Sequence, residues 1–370
     1  MKFSTSKTEL QKALQKLSKA TPTRSTLPIL SCVYIEVLDE KTILRTTDLE
    51  ITIQVEIPTS CEEKGLAALP LKTLLEITNE LPEARLTISV DGKQKTTIET
   101  DLGKYDLMSR SPEEFPTTPK QKETKKISFN GIVLKNIIES TSFAVSQDEL
   151  KPSLTGVLFK FSEKGFTAVS TDGHRLVKQN RTDFSTDGFN EEVIVPKKFL
   201  TYLSTQLSED DINLIMGDSF LKAQLKNDIV ITKIIDEKFP DYNSVIPKDN
   251  NKSFTVDKNI LLGSIRRVSI FSNKSTHQVA LTLTKKNCFI TTEDPEKSSK
   301  AKENITGEYE GDEITIGYNA EYLKDVVSHV SSDLINIKLN NSVSAALFEE
   351  TPKREKVRNL MLLMPIRLND

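Results

Sequence analysis

The chain has 370 residues, of which 37% are hydrophobic and 28% are charged. This length and balance indicate a folded protein of two or three domains and exclude a disordered or collagen-like chain. The formal net charge of −3 argues against a simple basic nucleic-acid-binding domain, although the distribution of charge matters more than its total. Because no apolar run is long enough for a signal peptide or a membrane span, we expect a cytoplasmic protein without a membrane partner.

The first two predicted helices, at residues 6–20 and 70–80, open a pattern that recurs along the chain. Leu10 lies in an apolar stripe with helical spacing, and Leu134 and Leu261 occupy the same place 124 and then 127 residues further on. Further helices with similar spacing are therefore predicted at residues 132–144, 196–208, 257–271 and 320–330.

The segments between the helices alternate apolar and polar residues, which is typical of short antiparallel strands joined by hairpins. A polar turn is predicted after a strand in each copy, in "TTDLE" from residue 46, "STDGH" from 170 and "TTEDP" from 291. The pattern predicts an α+β fold of three tandem copies, each with two helices and about eight antiparallel strands. We place the domains at residues 1–122, 123–250 and 251–370. The alternative is three unrelated α+β domains.

Charge is distributed unevenly between the predicted helices and the rest of the chain. In the first helix Lys12 and Lys16 lie opposite the stripe that contains Leu10, and Arg266 and Arg267 have the equivalent place in the third copy. The six helices together are positive although the chain is negative. This asymmetry favours a helical surface that holds a polyanion, while the alternative is the ordinary solvated face of amphipathic helices.

Metal and cofactor sites have no support in the sequence. Cys32, Cys61 and Cys288 are widely separated, as are the three histidines, so no pair has the spacing of a zinc site. The glycine-rich phosphate-binding motifs are also missing from the sequence. We therefore predict no metal, no cofactor and a reducing compartment.

Four motifs occur in an order that resembles one known family along the full length of the chain. They are "RSTLPILS", "STDGHRL", "FPDY" and "LLMPIRL", and the chain resembles the bacterial sliding clamp, the β subunit of DNA polymerase III. The resemblance implies three DNA-clamp domains and two chains joined head to tail in a ring. Such a homodimer encircles duplex DNA without sequence preference and acts as a processivity factor, not an enzyme, in the nucleoid-associated cytoplasm.

The resemblance and the helix charge pattern together predict which residues face the DNA, and the resemblance implies which residues join the two chains. The DNA-facing cations are Lys12, Lys16, Arg24, Lys72, Lys197, Lys198, Arg266 and Arg267. The dimer interface is Tyr105 and Leu107 of one chain against Ile270 and Phe271 of the other.

The resemblance also implies a pocket between the second and third domains for short peptide motifs that carry glutamine and leucine or phenylalanine. Replicative polymerase, clamp loader and repair proteins would dock there in turn. The pocket residues carried over are Leu154, Thr171, Gly173, His174, Arg175, Leu176, Pro240, Val245, Asn319, Tyr322, Val343, Leu363, Met364, Pro365, Ile366, Arg367 and Leu368. Ser244 replaces a family arginine and Thr276 stands where some members have phenylalanine, so we expect an altered peptide preference.

The segment "STDGH" also allows two readings that do not involve a clamp. Asp172 and Gly173 between two apolar segments indicate a hairpin turn. A hydrolase or transferase that uses Asp172 and His174 would need a nucleophile or a metal, and the sequence identifies neither. A peptide-binding scaffold that does not encircle DNA is the other alternative.

Overall fold

The computed structural model describes residues 1–117, 125–184, 186 and 189–368, and these contain six α-helices and twenty-six β-strands. The predicted boundary between residues 122 and 123 lies outside the described residues. The helices are α1 (Lys7–Leu17), α2 (Leu71–Glu80), α3 (Gly131–Thr141), α4 (Lys197–Gln206), α5 (Lys258–Ser269) and α6 (Ala320–His329). All six predicted helices are thus confirmed, with ends that shift by a few residues.

The strands follow the predicted repeat, with nine, eight and nine in successive copies among the described residues. The first copy has β1 (Lys2–Ser6), β2 (Cys32–Val37), β3 (Lys41–Thr47), β4 (Ile51–Pro58), β5 (Ser60–Glu63), β6 (Gly65–Pro70), β7 (Arg85–Val90), β8 (Lys95–Thr100) and β9 (Gly103–Met108). The second has β10 (Lys125–Asn130), β11 (Gly156–Ser162), β12 (Gly165–Thr171), β13 (Arg175–Arg181), β14 (Glu192–Pro196), β15 (Asp211–Met216), β16 (Phe220–Gln224) and β17 (Asp228–Lys233). The third has β18 (Lys252–Asp257), β19 (Gln278–Leu283), β20 (Cys288–Asp294), β21 (Ser299–Ile305), β22 (Gly307–Glu310), β23 (Ile314–Asn319), β24 (Leu334–Leu339), β25 (Ala346–Thr351) and β26 (Val357–Leu363).

Helices α1, α5 and α6 begin at side-chain caps, and each buries an apolar stripe. Ser6 accepts a hydrogen bond from the Glu9 backbone N–H at 3.1 Å, so the first orphan donors of α1 are partly satisfied. Asp257 and Asn319 cap α5 and α6 in the same way. Leu10 and its apolar neighbours in α1 are buried, as the helical spacing predicts.

The chain forms two compact units. The first unit contains Met1–Val133 and Thr201–Ile234, and the second contains Leu134–Leu200 and Ile235–Asp370. In the first unit a five-stranded sheet has the order β5-β1-β7-β8-β9, and an eight-stranded sheet has the order β10-β15-β16-β17-β4-β3-β2-β6. In the second unit a nine-stranded sheet has the order β14-β11-β12-β13-β26-β25-β24-β18-β22, and a four-stranded sheet has the order β21-β20-β19-β23.

Each of the two larger sheets combines strands from two successive copies. The antiparallel pair β4·β17 continues the sheet of the first copy into the second, and β13·β26 continues the second into the third. Because the backbone hydrogen bonds run without interruption through these pairs, the compact units cut across the repeat.

The predicted turn of the third copy lies several residues too early. Strand β20 continues through Asp294, which is buried and opposite Ser299, and the turn is formed by Pro295–Lys297. The prediction of a turn in "TTEDP" is therefore wrong for its first four residues. Two β-branched threonines favour a strand there, and Pro295, which has no N–H to donate, ends it.

The longest helix among the described residues, α5, has twelve residues. None of these helices combines the length and apolar character needed to cross a membrane.

Candidate functional site

The predicted DNA-facing cations divide between the two units and differ in the partners that they already have. Lys12, Arg24 and Lys72 are exposed in the first unit, where Lys72 has a loose ion pair with Glu76 at 3.8 Å. Lys16 is held by Asp228, with 2.5 Å between Nζ and Oδ2. A carboxylate so close offsets part of the attraction of Lys16 for a phosphate.

In the second unit, Lys198 and Arg266 are exposed and Lys197 is partly buried. Arg267 forms two hydrogen bonds to Glu303, of 2.8 and 2.7 Å, and these bonds hold the pKa of the Glu303 carboxyl below its usual value. Burial and the neighbouring positive charge of Arg175 lower the pKa of Lys197.

The segment "STDGH" forms a hairpin, as the turn reading predicts. Strands β12 and β13 pair up to Thr171 and Leu176. Oδ1 of Asp172 accepts hydrogen bonds from the backbone N–H groups of His174 and Arg175, at 2.9 and 3.0 Å. Gly173 has a φ of +90°, a conformation that glycine adopts without strain.

Replacing Gly173 by alanine is expected to lower the free energy of unfolding by about 1 kcal/mol, because a Cβ is disfavoured at positive φ. No heavy atom lies within 4 Å of the position of the added Cβ, so the cost comes from the backbone alone. Urea denaturation measures it. Gly92→Ala is the matched control, because that site is equally open and its φ is not positive. Equal costs at the two glycines would contradict this account of the turn.

Arg175 is the centre of a buried polar network behind the hairpin. Only 8% of this residue is exposed. Its guanidinium donates to Asp172 Oδ2 at 3.0 Å, to Asp325 Oδ2 at 2.6 Å and to the backbone oxygen of Phe143 at 2.9 Å. It also lies 4.7 Å from the centre of the Tyr322 ring. Arg175 therefore joins the hairpin to α6 and to the segment that follows α3.

The C-terminal segment lies beside the hairpin because β26 pairs with β13. The Met364 N–H donates to the backbone oxygen of His174 at 2.8 Å, and the Ile366 N–H donates to that of Gly317 at 2.9 Å. A Cβ on Gly317 would approach the Ile366 oxygen to 2.7 Å, so only glycine allows the tail this close. His174 stacks on Tyr322 with 5.6 Å between ring centres.

Apolar side chains cover the sheet next to this junction. Leu176 and Leu362 face each other across β13 and β26 and belong to a buried cluster with Leu347. Phe239 and Tyr242, from the segment that contains "FPDY", pack against the cluster. The exposed apolar residues of the predicted pocket are Val245, Val343 and Met364.

The remaining predicted pocket residues have less direct roles. Asn319 caps α6, Leu363 is buried, Leu154 is half-buried, and Pro240 and Arg367 are exposed. The sequence did not point to Asp325 or Phe143. Asp325 reads as an ordinary charge on a helix, and its contact with Arg175 joins residues 150 positions apart, so no local signal could have found it.

The hydrogen bonds of Asp172 account for an aspartate in this hairpin without a catalytic role. Both carboxylate oxygens of Asp172 accept hydrogen bonds within the turn and from Arg175. In the described part of the chain, no three histidine, cysteine, aspartate or glutamate side chains are grouped so as to hold a metal ion. The hairpin thus combines an adjacent apolar cluster with a rigid polar support behind it.

Comparison with protein families gives three matches that follow each other along the chain. They are the N-terminal, central and C-terminal domains of the DNA polymerase III beta subunit, at residues 1–119, 128–241 and 243–367. The curated "Beta sliding clamp" of Pseudomonas putida is 30% identical over 375 residues and covers 100% of both chains.

Solved structures agree with these matches. The DNA polymerase sliding clamp from Bacillus subtilis has a TM-score of 0.94 at 27% identity, and a DnaN sliding clamp from Pseudomonas aeruginosa bound to griselimycin has 0.92 at 28%, each with 100% of both chains covered. The fold is thus that of a DNA sliding clamp. The chain belongs to the family of the DNA polymerase III beta subunit.

Proposed function

We propose that two copies of this chain close head to tail into a ring around duplex DNA. As a clamp of this family the protein is a processivity factor of DNA replication. The ring would slide along DNA and tether the replicative polymerase. The three clamp domains of the proposal are residues 1–122, 123–250 and 251–370. The family matches support three domains in this order, and the match to the C-terminal domain begins at residue 243.

The observation that carries the proposal is the pairing rule of the repeat. Within the chain, two strand pairs join neighbouring copies, and we call each pair a junction. In both junctions the third strand after the first helix of one copy pairs with the last strand of the next copy, β4 with β17 and β13 with β26. In the third copy the strand equivalent to β4 and β13 is β21, and in the first copy the strand equivalent to β17 and β26 is β9. In the described residues, β21 and β9 each lie at the edge of their sheet. Pairing β21 of one chain with β9 of another repeats the internal junction and leaves no open edge of this kind.

Exposed apolar side chains near these edges support the same contact. Ile270 and Phe271, at the end of α5, are 73% and 44% exposed. When the copies are aligned on Leu134 and Leu261, Phe143 of the second copy is the equivalent of Ile270 in the third. Phe143 stacks on His329 of the following copy, with 3.9 Å between ring centres. We therefore expect Ile270 and Phe271 to pack on the partner, near its Tyr105 and Leu107 in β9.

A ring of this kind needs only weak attraction to DNA. Lysine and arginine contacts to phosphates carry no sequence information, so every position along the duplex is equivalent. The proposed contacts are the cations Lys12, Lys16, Arg24, Lys72, Lys197, Lys198, Arg266 and Arg267. We expect Lys16 and Arg267 to contribute least, because their carboxylate partners, at 2.5 and 2.7 Å, are much closer than Glu76 is to Lys72, at 3.8 Å.

The hairpin, the C-terminal tail and the adjacent apolar cluster are the proposed docking pocket for partner peptides. A flexible methionine at its edge and aliphatic walls suit a site that accepts several sequences. Polymerase, clamp loader and repair proteins would compete for it through short motifs.

Topological retention on DNA tests the ring. The protein is mixed with linear duplex, the duplex ends are ligated, and the circles are separated from free protein by gel filtration at high salt. We expect the protein to stay with the circles and to leave once a restriction enzyme opens them. Loss at the same rate from circles and cut DNA would instead favour a peptide-binding scaffold that does not encircle DNA.

A further inference from the structure

A second cavity, here called the basic cavity, lies in the second unit on the same nine-stranded sheet as the docking pocket. It has a volume of about 400 Å³. The side chains that define it are Lys178, Lys248, Lys353, Arg354, Arg358 and Leu360. Leu176 and Lys178 are two residues apart on β13, as Leu362 and Leu360 are on β26, so they point to the same face of the sheet.

The lining of the basic cavity has more positive than negative charge. Five cations face two carboxylates, Glu349 and Glu350. Glu349 pairs with Lys353 at 2.8 Å, and Glu350 lies 3.6 Å from Arg354. Lys248 and Arg358 have no carboxylate partner within the described residues. Two cations of the cavity are thus available to an anion.

Lys178 adds a third cation whose partners are neutral. Its Nζ donates to Asn243 Oδ1 at 3.0 Å and lies 5.0 Å from the centre of the Tyr242 ring. Burial lowers the pKa of this ammonium group, because the charged form has lost water without gaining a negative neighbour. An anion in the cavity would supply that neighbour.

The floor of the basic cavity is apolar. Ile246, Val357 and Leu360 line it together with the aliphatic parts of the lysines and arginines. A glutamate side chain combines a short apolar stem with a terminal carboxylate and fits this combination. A small inorganic anion would leave the floor uncovered.

We propose that the basic cavity binds acidic side chains of partner proteins that flank the motif held in the docking pocket. This inference rests on the proposed function, because the pocket supplies the main contact. The step from Leu176 to Lys178 along β13 is roughly 7 Å, so an extended peptide bridges the two sites with two to four residues. Acidic flanking residues would then determine which partners bind most tightly.

Fluorescence anisotropy with the full chain tests the proposal. Four labelled peptides share one core of glutamine, leucine and phenylalanine. One has the core alone, two add four glutamates, one at the N-terminal end and one at the C-terminal end, and one adds four glutamines. At low salt we expect the tighter glutamate version to bind about three- to tenfold more strongly than the core, because exposed charge pairs each contribute modestly. The glutamine version should bind like the core.

The gain in affinity from the glutamates should disappear in the double variant Lys248→Gln/Arg358→Gln, and the affinity for the core peptide should stay unchanged. Both residues are exposed, as are Lys285 and Lys286, so Lys285→Gln/Lys286→Gln is the charge-matched control and should keep the gain. A gain that is missing in the wild type, or that survives in the double variant, would overturn the proposal. Full competition by inorganic phosphate at constant ionic strength would also overturn it, in favour of a small-anion site.

The docking pocket is tested separately with Met364→Ala and the core peptide. If the core fails to bind the wild type or binds Met364→Ala equally well, the docking pocket is wrong. If in that case the glutamate peptide still binds and loses affinity in the double variant, the basic cavity is supported on its own.

Discussion

Replacing both Ile270 and Phe271 by alanine is expected to turn the dimer into monomers. Both side chains are exposed in the single chain and belong to the proposed contact with the partner's β9. Burying a large apolar side chain contributes about 1.5–3 kcal/mol, so the double change should weaken each of the two identical junctions of the ring by about two to four powers of ten. Light scattering after gel filtration over a range of concentrations measures the effect.

The protomer itself should remain folded in this variant, because neither side chain is part of a buried core. Circular dichroism melting checks that point. Leu150→Ala is the matched control, since Leu150 is 91% exposed in the same unit and is not part of the proposed interface. The control should remain dimeric and stay on ligated circles, whereas the double variant should be lost from them. A double variant that stays dimeric would place the interface elsewhere.

Replacing Arg175 by alanine should be the most destabilising single change among the site residues. It leaves the Asp172 and Asp325 carboxylates and the Phe143 carbonyl without their shared donor. Removing one partner of a buried ion pair costs about 3–5 kcal/mol. Urea denaturation should show a loss of this size in the free energy of unfolding. Binding of the core peptide should weaken as well, because the hairpin loses its link to α6.

Arg267→Ala provides the comparison, because Arg267 also makes two hydrogen bonds to one carboxylate but is 62% exposed. Its loss should cost less than about 1 kcal/mol. Arg175→Lys should fall between the two, since it keeps the charge but not the planar fork that reaches three acceptors. Equal costs for Arg175→Ala and Arg267→Ala would mean that the buried network does not stabilise the hairpin.

Local sequence signals were sufficient wherever a structure depends on neighbouring residues. The helices follow from apolar spacing, and the turn at Asp172 follows from an aspartate whose side chain accepts the backbone N–H groups of His174 and Arg175. The third-copy turn shows the limit of that reasoning. The first two residues of all three turn segments belong to a strand, but in "TTEDP" the strand continues for two residues more, because pairing of β20 with β21 extends as far as Asp294.

The sequence by itself determined the three-fold repeat, the number and positions of the helices, and the family, because these depend on periodicity and short motifs. The tertiary structure decided which strands continue one sheet into the next, and it left β9 and β21 at the edges of their sheets. It also decided that Arg175 binds Asp325 and that unpaired cations gather beside Leu360. These features arise from residues far apart in the chain, and only folding brings their hydrogen-bonding groups and charges together.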